Sequence, residues 1–281
     1  MKGSIYYDKL KQSYTDKHNI FKEERVIMTE KKSDSKYILE VCVDSVESAM
    51  EAVKGGADRL ELCANLVIGG TTPSSELFNA IRNVTDIPMR VLIRPRFGDF
   101  CYTDHEFEII KEEVKLFRNL GAEGVVIGVL TREGDLDVSR MEVLIKEANG
   151  LPVTLHRAFD VCRNPYDALM DAKKLGIDTI LTSGQKNHCL DGRELLKDLV
   201  EKAGKDINIM VGSGVTPEVI SEMAPYTKAL AFHMSGKENI ESLMTYRNAD
   251  VSMGLPIMSE YVIWRTNKDT IKEARIVLDE M

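Results

Sequence analysis

Short apolar runs alternate with amphipathic segments along the chain from Tyr37 onward. The runs are rich in Val, Ile and Leu, as expected of strands that are buried on both faces. In the segments between them, apolar residues recur at helical spacing, as at Val46, Ala49, Met50 and Val53. The pattern predicts eight strands, which we place at 37–43, 58–63, 88–94, 123–128, 152–156, 177–182, 207–212 and 228–233.

Prolines and glycines mark the predicted ends of several helices. A helix tolerates proline in its first turn, where a preceding Ser, Thr or Asn can cap the free N–H groups. The pairs Thr72-Pro73, Asn164-Pro165 and Thr216-Pro217 therefore predict three helix starts. Gly121 and Gly176 lie where helices should end, because glycine readily adopts the left-handed conformation of a helix C-terminus.

Eight strands that alternate with helices predict an α/β fold, namely a single (β/α)8 barrel of the TIM type. A doubly wound open sheet is the alternative, but eight nearly even units favour closure into a barrel. The last segment, 239–281, begins irregularly and ends in a predicted helix with Ile271, Ala274, Val277 and Leu278 on one face. We expect this helix to complete the outer ring of helices.

The first 36 residues differ in composition from the rest of the chain. They contain nine Lys and Arg against six Asp and Glu, and few aliphatic residues. Such a composition is typical of a segment that does not join a packed core. We therefore predict a flexible N-terminal extension at 1–36 and one barrel domain at 37–281.

The overall composition narrows the class of function. The chain has 281 residues, of which 43% are hydrophobic, and a net charge of −8. Such an acidic chain lacks the basic surface that nucleic-acid binding requires, and no apolar stretch has the length of a membrane span or resembles a signal peptide. The five cysteines match no disulfide framework, which is typical of reduced thiols in a cytoplasmic protein.

Two similar tetrapeptides, Leu39-Glu40-Val41-Cys42 and Leu60-Glu61-Leu62-Cys63, end the first two predicted strands. Because strand side chains alternate between faces, the Glu and the Cys of each copy share a face. A carboxylate in an apolar strand is costly unless it is paired. In a (β/α)8 barrel the active site lies at the C-terminal ends of the strands. The tetrapeptides therefore predict a site that contains two carboxylates and two thiols.

Cationic side chains follow other predicted strands and are the expected partners of the two carboxylates. They are Arg94, Arg96, His156 and Arg157. In a functional pocket Arg94 would bind an anionic group, with the other two arginines adding positive charge. Glu40 or Glu61 would act as general acid or base, and His156 would carry protons near neutral pH. The alternative is a buried ion-pair network that only fixes strand register.

Glycine-rich segments follow the last two predicted strands. Gly212, Ser213 and Gly214 lead into a predicted helix, and Ser235 and Gly236 follow the eighth strand. Glycines let the backbone approach a ligand, and the N–H groups of a helix N-terminus favour an anion. Phosphate sites recur in this part of (β/α)8 barrels. These residues predict anion binding, with a tight turn that needs glycine for its geometry alone as the alternative.

Six motifs run in order through the predicted barrel: LEVCVDS at 39–45, GGADRLELC at 55–63, GGTTPS at 69–74, IRPRFGDFCY at 93–102, HRAFD at 156–160 and LTSGQ at 181–185. Together they resemble the copper homeostasis protein CutC family, from about Tyr37 to about Gly254. The resemblance implies a cytoplasmic barrel protein, usually oligomeric, that is linked to copper tolerance and proposed to bind Cu(I).

The two thiols are the predicted metal ligands under this resemblance. Cu(I) is a soft ion that prefers thiolates, and Cys42 and Cys63 end neighbouring strands. The alternative for these cysteines is ordinary packing, since a buried free cysteine is a common core residue.

Three functional hypotheses remain. The first is a cytoplasmic copper homeostasis protein of the CutC type that binds Cu(I), assembled as a homo-oligomer, either a dimer or a tetramer. The second is an enzyme that acts on a small anionic metabolite, such as a phosphorylated one, with an indirect link to copper. Its chemistry would rest on Glu40, Glu61, Arg94 and His156. The third is a non-catalytic oligomer whose charged residues are structural.

Overall fold

Eight parallel strands close into a barrel in the computed structural model of the chain, which describes residues 36–248, 250–253 and 259–281. Each strand hydrogen-bonds to the next, and the last pairs with the first. The predicted (β/α)8 barrel and all eight predicted strands are confirmed, and the open-sheet alternative is wrong. The strands are β1 (Ile38–Val43), β2 (Arg59–Leu62), β3 (Met89–Leu92), β4 (Gly124–Ile127), β5 (Val153–Leu155), β6 (Thr179–Thr182), β7 (Asn208–Val211) and β8 (Ala231–Met234).

Helices alternate with the strands and form the outer layer. In the described part of the chain they are α1 (Val46–Lys54), α2 (Ser75–Val84), α3 (Asp104–Asn119), α4 (Val138–Ala148), α5 (Pro165–Leu175), α6 (Arg193–Ala203), α7 (Pro217–Thr227) and α8 (Lys268–Asp279). Short 3-10 helices, Leu66–Ile68 and Arg157–Val161, lie in the loops after β2 and β5. The predicted extension at 1–36 lies outside the described residues except for Lys36.

Two of the three predicted proline starts are confirmed. The side chain of Asn164 accepts N–H bonds in the first turn of α5, and that of Thr216 does the same for α7. The third prediction is wrong by two residues, because α2 begins at position 75 and Ser74 caps it. The hydroxyl of Thr72 instead accepts the backbone N–H of Arg94 at 2.9 Å, which ties this loop to the end of β3.

The main hydrophobic core lies between the barrel and the helices. On β1, Leu39, Val41 and Val43 are fully buried in this layer, where they alternate with Glu40 and Cys42. The alternation directs the polar residues of the strand into the barrel. The barrel interior therefore combines small apolar clusters with buried charged groups.

A buried arginine occupies the N-terminal end of the barrel interior. The guanidinium of Arg90 donates to the hydroxyl of Thr154 at 2.5 Å and to the carboxylate of Asp178 at 2.8 Å. These partners lie at the starts of β5 and β6, so the network joins strands across the barrel. It occupies the end of the interior opposite to the strand C-termini, where the active sites of (β/α)8 barrels lie.

A two-stranded antiparallel hairpin follows β8 and leads to the last helix. It consists of β9 (Lys237–Glu241) and β10 (Val262–Thr266), in a segment for which the sequence predicts irregular structure. The predicted terminal helix is confirmed as α8, which buries Ile271 and Leu278. It packs against α1 and α7 and so completes the outer ring. No helix of the described residues is long and apolar enough to cross a membrane.

The contact between α1 and α8 has little room. A Cβ atom at Gly55, the end of α1, would lie 2.6 Å from Cβ of Ile271 and 2.8 Å from the Lys268 carbonyl oxygen. We expect Gly55→Ala to lower the free energy of unfolding by about 2 kcal/mol, because α8 must shift. Urea unfolding measures this loss.

Gly121→Ala is the matched control at the end of α3. A Cβ at Gly121 meets nothing within 4 Å, but its φ of +87° is unfavourable for alanine, so a loss of about 1 kcal/mol is expected. A loss for Gly55→Ala that is no larger than this control would contradict the tight packing of α8.

Candidate functional site

A cavity of about 390 Å³ opens at the C-terminal end of the barrel. Side chains from the strand ends and from the following loops form its wall. Eight of the predicted site residues line it, namely Cys42, Glu61, Arg94, His156, Arg157, Ser213, Gly214 and Ser235. The other five do not line it, namely Glu40, Cys63, Arg96, Gly212 and Gly236.

The carboxylate of Glu40 is fully buried inside the barrel and has two cationic neighbours. Its Oε2 accepts a hydrogen bond from Nε of Arg59 at 2.5 Å, and its Oε1 lies 2.8 Å from Nδ1 of His233. Strand register accounts for both contacts, because Glu40 pairs with Arg59 on β2 and with His233 on β8. Burial favours the neutral acid, but the two cations outweigh it and lower the pKa of Glu40 to about 2. Glu40 is therefore an anion at any ordinary pH.

His233 lies between the two carboxylates. Its Nε2 is 3.8 Å from Oε2 of Glu61. Burial, together with the negative charge of Glu40, raises the pKa of Glu61 to about 7, although His233 opposes this shift. Burial disfavours a charged His233, but Cys42, Glu61 and Glu40 together raise its pKa well above the usual range. Glu61 thus titrates in the range that general acid–base chemistry requires.

The cationic partners of the two carboxylates lie on β2 and β8. The expectation that the cationic residues after β3 and β5 pair with these carboxylates is wrong. Sequence reasoning missed Arg59, although the sequence carries a signal for it. Arg59 precedes Glu61 by two residues, so both side chains lie on the same face of β2. The missing information was the register between β1 and β2, which places Arg59 beside Glu40.

Cys42 lies at the wall of the cavity beside two other potential metal ligands. Its Sγ, a carboxylate oxygen of Glu61 and a ring nitrogen of His233 all lie within 4.8 Å of one another. The register explains this group, because Cys42 on β1 pairs with Glu61 on β2. A thiol, an imidazole and a carboxylate are all groups that bind transition metals.

Cys63 is fully buried and lies in one apolar cluster with Cys42, Leu92 and Val126. Its thiol donates to the carbonyl of Val43 at 3.5 Å. Burial raises the pKa of Cys63 well above the usual range. The two predicted thiols thus share a cluster, but only Cys42 reaches the cavity in the described structure.

Arg94 lines the cavity, and its guanidinium also holds the neighbouring loops. Nη1 donates to the carbonyls of Gly69 and Gly70 at 3.2 and 3.0 Å, and Nη2 donates to the carbonyl of Gly98 at 2.8 Å. These bonds occupy donors that the predicted bidentate grip on an anion would use. The positive charge of Arg94 nevertheless remains in the cavity wall, and its contact with an anion stays a prediction.

The other two predicted arginines are paired with carboxylates. Nε of Arg96 donates to Glu106 at 2.6 Å, outside the cavity. Nε of Arg157 donates to Asp160 at 2.6 Å, and its Nη2 donates to the hydroxyl of Ser183 at 3.0 Å. Arg157 thus reaches the cavity wall as half of an ion pair, which reduces the charge that it offers to a ligand.

His156 is buried in the wall of the cavity. Its Nδ1 accepts the backbone N–H of Ala158 at 3.1 Å, and its ring centroid lies 4.8 Å from that of Phe100. Burial, followed by the positive charge of Arg94, lowers the pKa of His156 to about 3. Such a ring is neutral near pH 7, which does not favour the predicted role of His156 as a proton carrier there.

The predicted glycines of the last loops pack against protein side chains. A Cβ at Gly212 would lie 2.5 Å from Cδ1 of Leu181, and one at Gly214 would lie 2.7 Å from Nδ1 of His188. A Cβ at Gly236 would collide with a side chain of α8. Packing against protein side chains thus accounts for all three glycines without a ligand, and their role in anion binding stays a prediction.

Sequence reasoning missed two residues of the cavity wall that belong to the hairpin. Nζ of Lys237 lies 3.2 Å from the ring centroid of Trp264, the single tryptophan of the chain, and both residues line the cavity. Burial lowers the pKa of Lys237, against the influence of Cys42. The sequence carries no signal for these two residues. β9 and β10 are separated by about twenty residues, and only their pairing brings the two side chains to the mouth of the cavity.

A protein-family model and similar known proteins all match most of this chain. The model of the CutC family matches residues 37–238. A family protein CutC from Histophilus somni (strain 2336) is 42% identical over 233 residues, or 83% of this chain and 96% of that protein. The copper homeostasis protein cutC homolog of Homo sapiens is 41% identical over 237 residues, or 84% of this chain and 87% of that protein.

A solved structure shares the same fold. The crystal structure of a CutC protein from Streptococcus agalactiae has a TM-score of 0.67 and 32% sequence identity with this chain. The match covers 71% of this chain and 98% of that protein.

The two carboxylates of the site should affect stability in opposite directions. The pKa of Glu40 is lowered, so its charge stabilises the fold above pH 4.5 and this contribution is lost as the pH falls towards 2. The pKa of Glu61 is raised, so its ionisation destabilises the fold as the pH rises from 4.5 through 7. At pH 8 we expect Glu40→Gln to destabilise the protein by ~2 kcal/mol and Glu61→Gln to stabilise it by a similar amount.

Chemical unfolding at pH 8 and pH 4.5 measures both effects. The gain from Glu61→Gln should vanish at the lower pH, where the native carboxyl is protonated. Two variants that destabilise equally at pH 8 would show that the carboxylates do not differ in environment.

Proposed function

The chain belongs to the CutC family, and from this membership we propose that it acts in copper homeostasis by binding Cu(I) as its cargo. The observation that carries the proposal is the group of Cys42, Glu61 and His233. Their donor atoms lie within 4.8 Å of one another at the wall of the cavity. An ion that enters from the mouth of the barrel would meet these groups.

The donor chemistry suits a soft monovalent ion. Cys42 supplies a thiol, which Cu(I) prefers, and His233 supplies an imidazole. Glu40 engages Nδ1 of His233 at 2.8 Å, so Nε2 would bind the metal after it loses its proton to solvent. A carboxylate on the other ring nitrogen is the usual partner of a metal-binding histidine and fixes its orientation. Glu61, a harder oxygen donor, would instead accept the proton that the thiol releases on binding.

Cys63 is the second thiol of the proposed site. Its membership in the apolar cluster of Cys42 supports this role, as does its free thiol. Two thiolates and one imidazole would satisfy the low coordination number of Cu(I), and the apolar surroundings of Leu92 and Val126 would exclude water from the ion.

We further propose that the protein acts in the cytoplasm as a dimer or tetramer. The five cysteines are all free, which suits a reducing compartment. Several apolar side chains of the segment between the hairpin strands are largely exposed, among them Leu243 at 99% and Met253 at 74%. Exposed apolar side chains of this kind favour association with another copy. Light scattering should give at least twice the 31.6 kDa mass of one chain, and a monomer would contradict this assembly.

We expect Cys42→Ser to weaken Cu(I) binding by more than about 100-fold, since even the loss of a second-sphere partner costs about 10–100-fold. Cys63→Ser should also weaken binding. Competition with a colorimetric Cu(I) chelator under anaerobic conditions measures both affinities. Cys101→Ser is the control, because Cys101 lies in a loop outside the cluster and should leave the affinity unchanged.

Circular dichroism must first establish that each variant is folded. Unchanged Cu(I) affinity in a folded Cys42→Ser protein would rule out the proposed site. Unchanged affinity in Cys63→Ser alone would remove only the second thiol and leave Cys42 and His233 as the ligands.

A further inference from the structure

We infer that the cavity also binds a small organic anion, one of whose oxygens accepts a hydrogen bond from Nε2–H of His156. The cavity holds about 390 Å³, which is the size of a metabolite site and far more than one copper ion needs. His156 is not one of the proposed copper ligands, although it lines the same cavity, and its proposed role does not depend on them.

The hydrogen bonds of His156 determine which ring nitrogen carries the proton. The backbone N–H of Ala158 can only donate, so Nδ1 of His156 must be an acceptor without a proton. A neutral ring therefore carries its proton on Nε2. The ring cannot become an imidazolium while this bond holds, so Nε2–H is a donor across the ordinary pH range.

Nε2 of His156 has no hydrogen-bond partner among the described residues, although it is buried. The whole residue is only 4% exposed and lines the cavity. A buried donor without an acceptor costs about 1–3 kcal/mol. Such a group is expected where a ligand supplies the missing acceptor, because proteins rarely leave buried polar groups unpaired.

The surroundings of His156 hold the ring rigidly. Phe100 packs against it with a centroid distance of 4.8 Å, and Cζ of Arg94 lies 5.0 Å from the centroid of the Phe100 ring. The backbone of Gly128 also lies against the ring, because a Cβ there would lie 2.6 Å from Cε1 of the imidazole. The donor is thus fixed in position before a ligand arrives, as sites that stabilise an oxyanion require.

The charges of the cavity select an anion. Among the described residues that line it, Glu61 is the single carboxylate, against Arg94, Lys237 and an Arg157 that is already paired with Asp160. Lys237 forms no ion pair within 4 Å in the described part of the chain, and its ammonium lies on the face of Trp264. A ligand with a carboxylate or phosphate group would find positive charge here and a neutral donor at His156.

The test uses the five histidines of the full chain. In protein labelled with nitrogen-15 in its imidazole rings, long-range proton–nitrogen spectra identify the tautomer of each ring. We expect one ring, absent from the spectrum of His156→Phe, to remain the neutral Nε2–H tautomer from pH 5 to pH 8. Addition of pyruvate, or of inorganic phosphate, should shift its Nε2 resonance, while sodium chloride at equal ionic strength should not.

Two variants test the donor itself. His156→Phe should weaken the binding of the active probe by about tenfold, the usual worth of one buried hydrogen bond. His156→Gln places an amide N–H near the position of Nε2 and should retain most of the affinity. His105→Gln is the control, because His105 is exposed on α3 and does not line the cavity.

The outcomes separate this proposal from the copper site. His156→Phe should keep its Cu(I) affinity, and Cys42→Ser should keep the response of His156 to the probe. A response to pyruvate alone would assign a carboxylate ligand, and a response to phosphate alone a phosphorylated one. The proposal fails if His156 titrates between pH 5 and pH 8, if it is the Nδ1–H tautomer, or if neither anion shifts its resonance.

Discussion

The burial of the Glu40 carboxylate is the constraint on which the rest of this structure depends. A lone carboxylate inside a barrel is too costly to persist, so the fold must bring a positive charge to it. Arg59 on β2 and His233 on β8 meet this need from the two strands that flank β1. The same contacts fix the register at the seam where the barrel closes. They also orient His233 towards Glu61 and the cavity, so that one ion-pair cluster serves both closure and the site.

The fold could be predicted almost strand by strand, because each barrel strand is a short apolar run that is buried on both faces. The exceptions have local causes. In β9, Lys237–Glu241, most side chains are exposed, and the partner strand lies about twenty residues later, so no apolar alternation marks the hairpin. The start of α2 was misplaced because Thr72, a good cap by its chemistry, binds the end of β3 instead.

The location of the site could also be predicted, since the barrel topology brings the strand ends together. The hydrogen-bond partners of each site residue could not be predicted, because they depend on strand register and on loop conformation. Arg59 is the first residue of β2, and only the pairing of β2 with β1 shows that its side chain lies beside Glu40. The donors of Arg94 bind carbonyls of two loops whose paths the sequence does not specify. The neutral state of His156 follows from a backbone N–H two residues later, which only the turn after β5 brings to the ring.

The pairing of β1 with β8 has a consequence for how the protein is made. Glu40 and His233 are 193 residues apart in the chain, so the ribosome delivers the acid and its first cationic partner, Arg59, long before the second. Until β8 emerges, Arg59 is the partner that offsets the cost of burying this carboxylate. The cavity exists only after β8 and the hairpin with Trp264 have emerged. A ligand of this cavity would therefore find its complete binding site only after the whole domain has been synthesised.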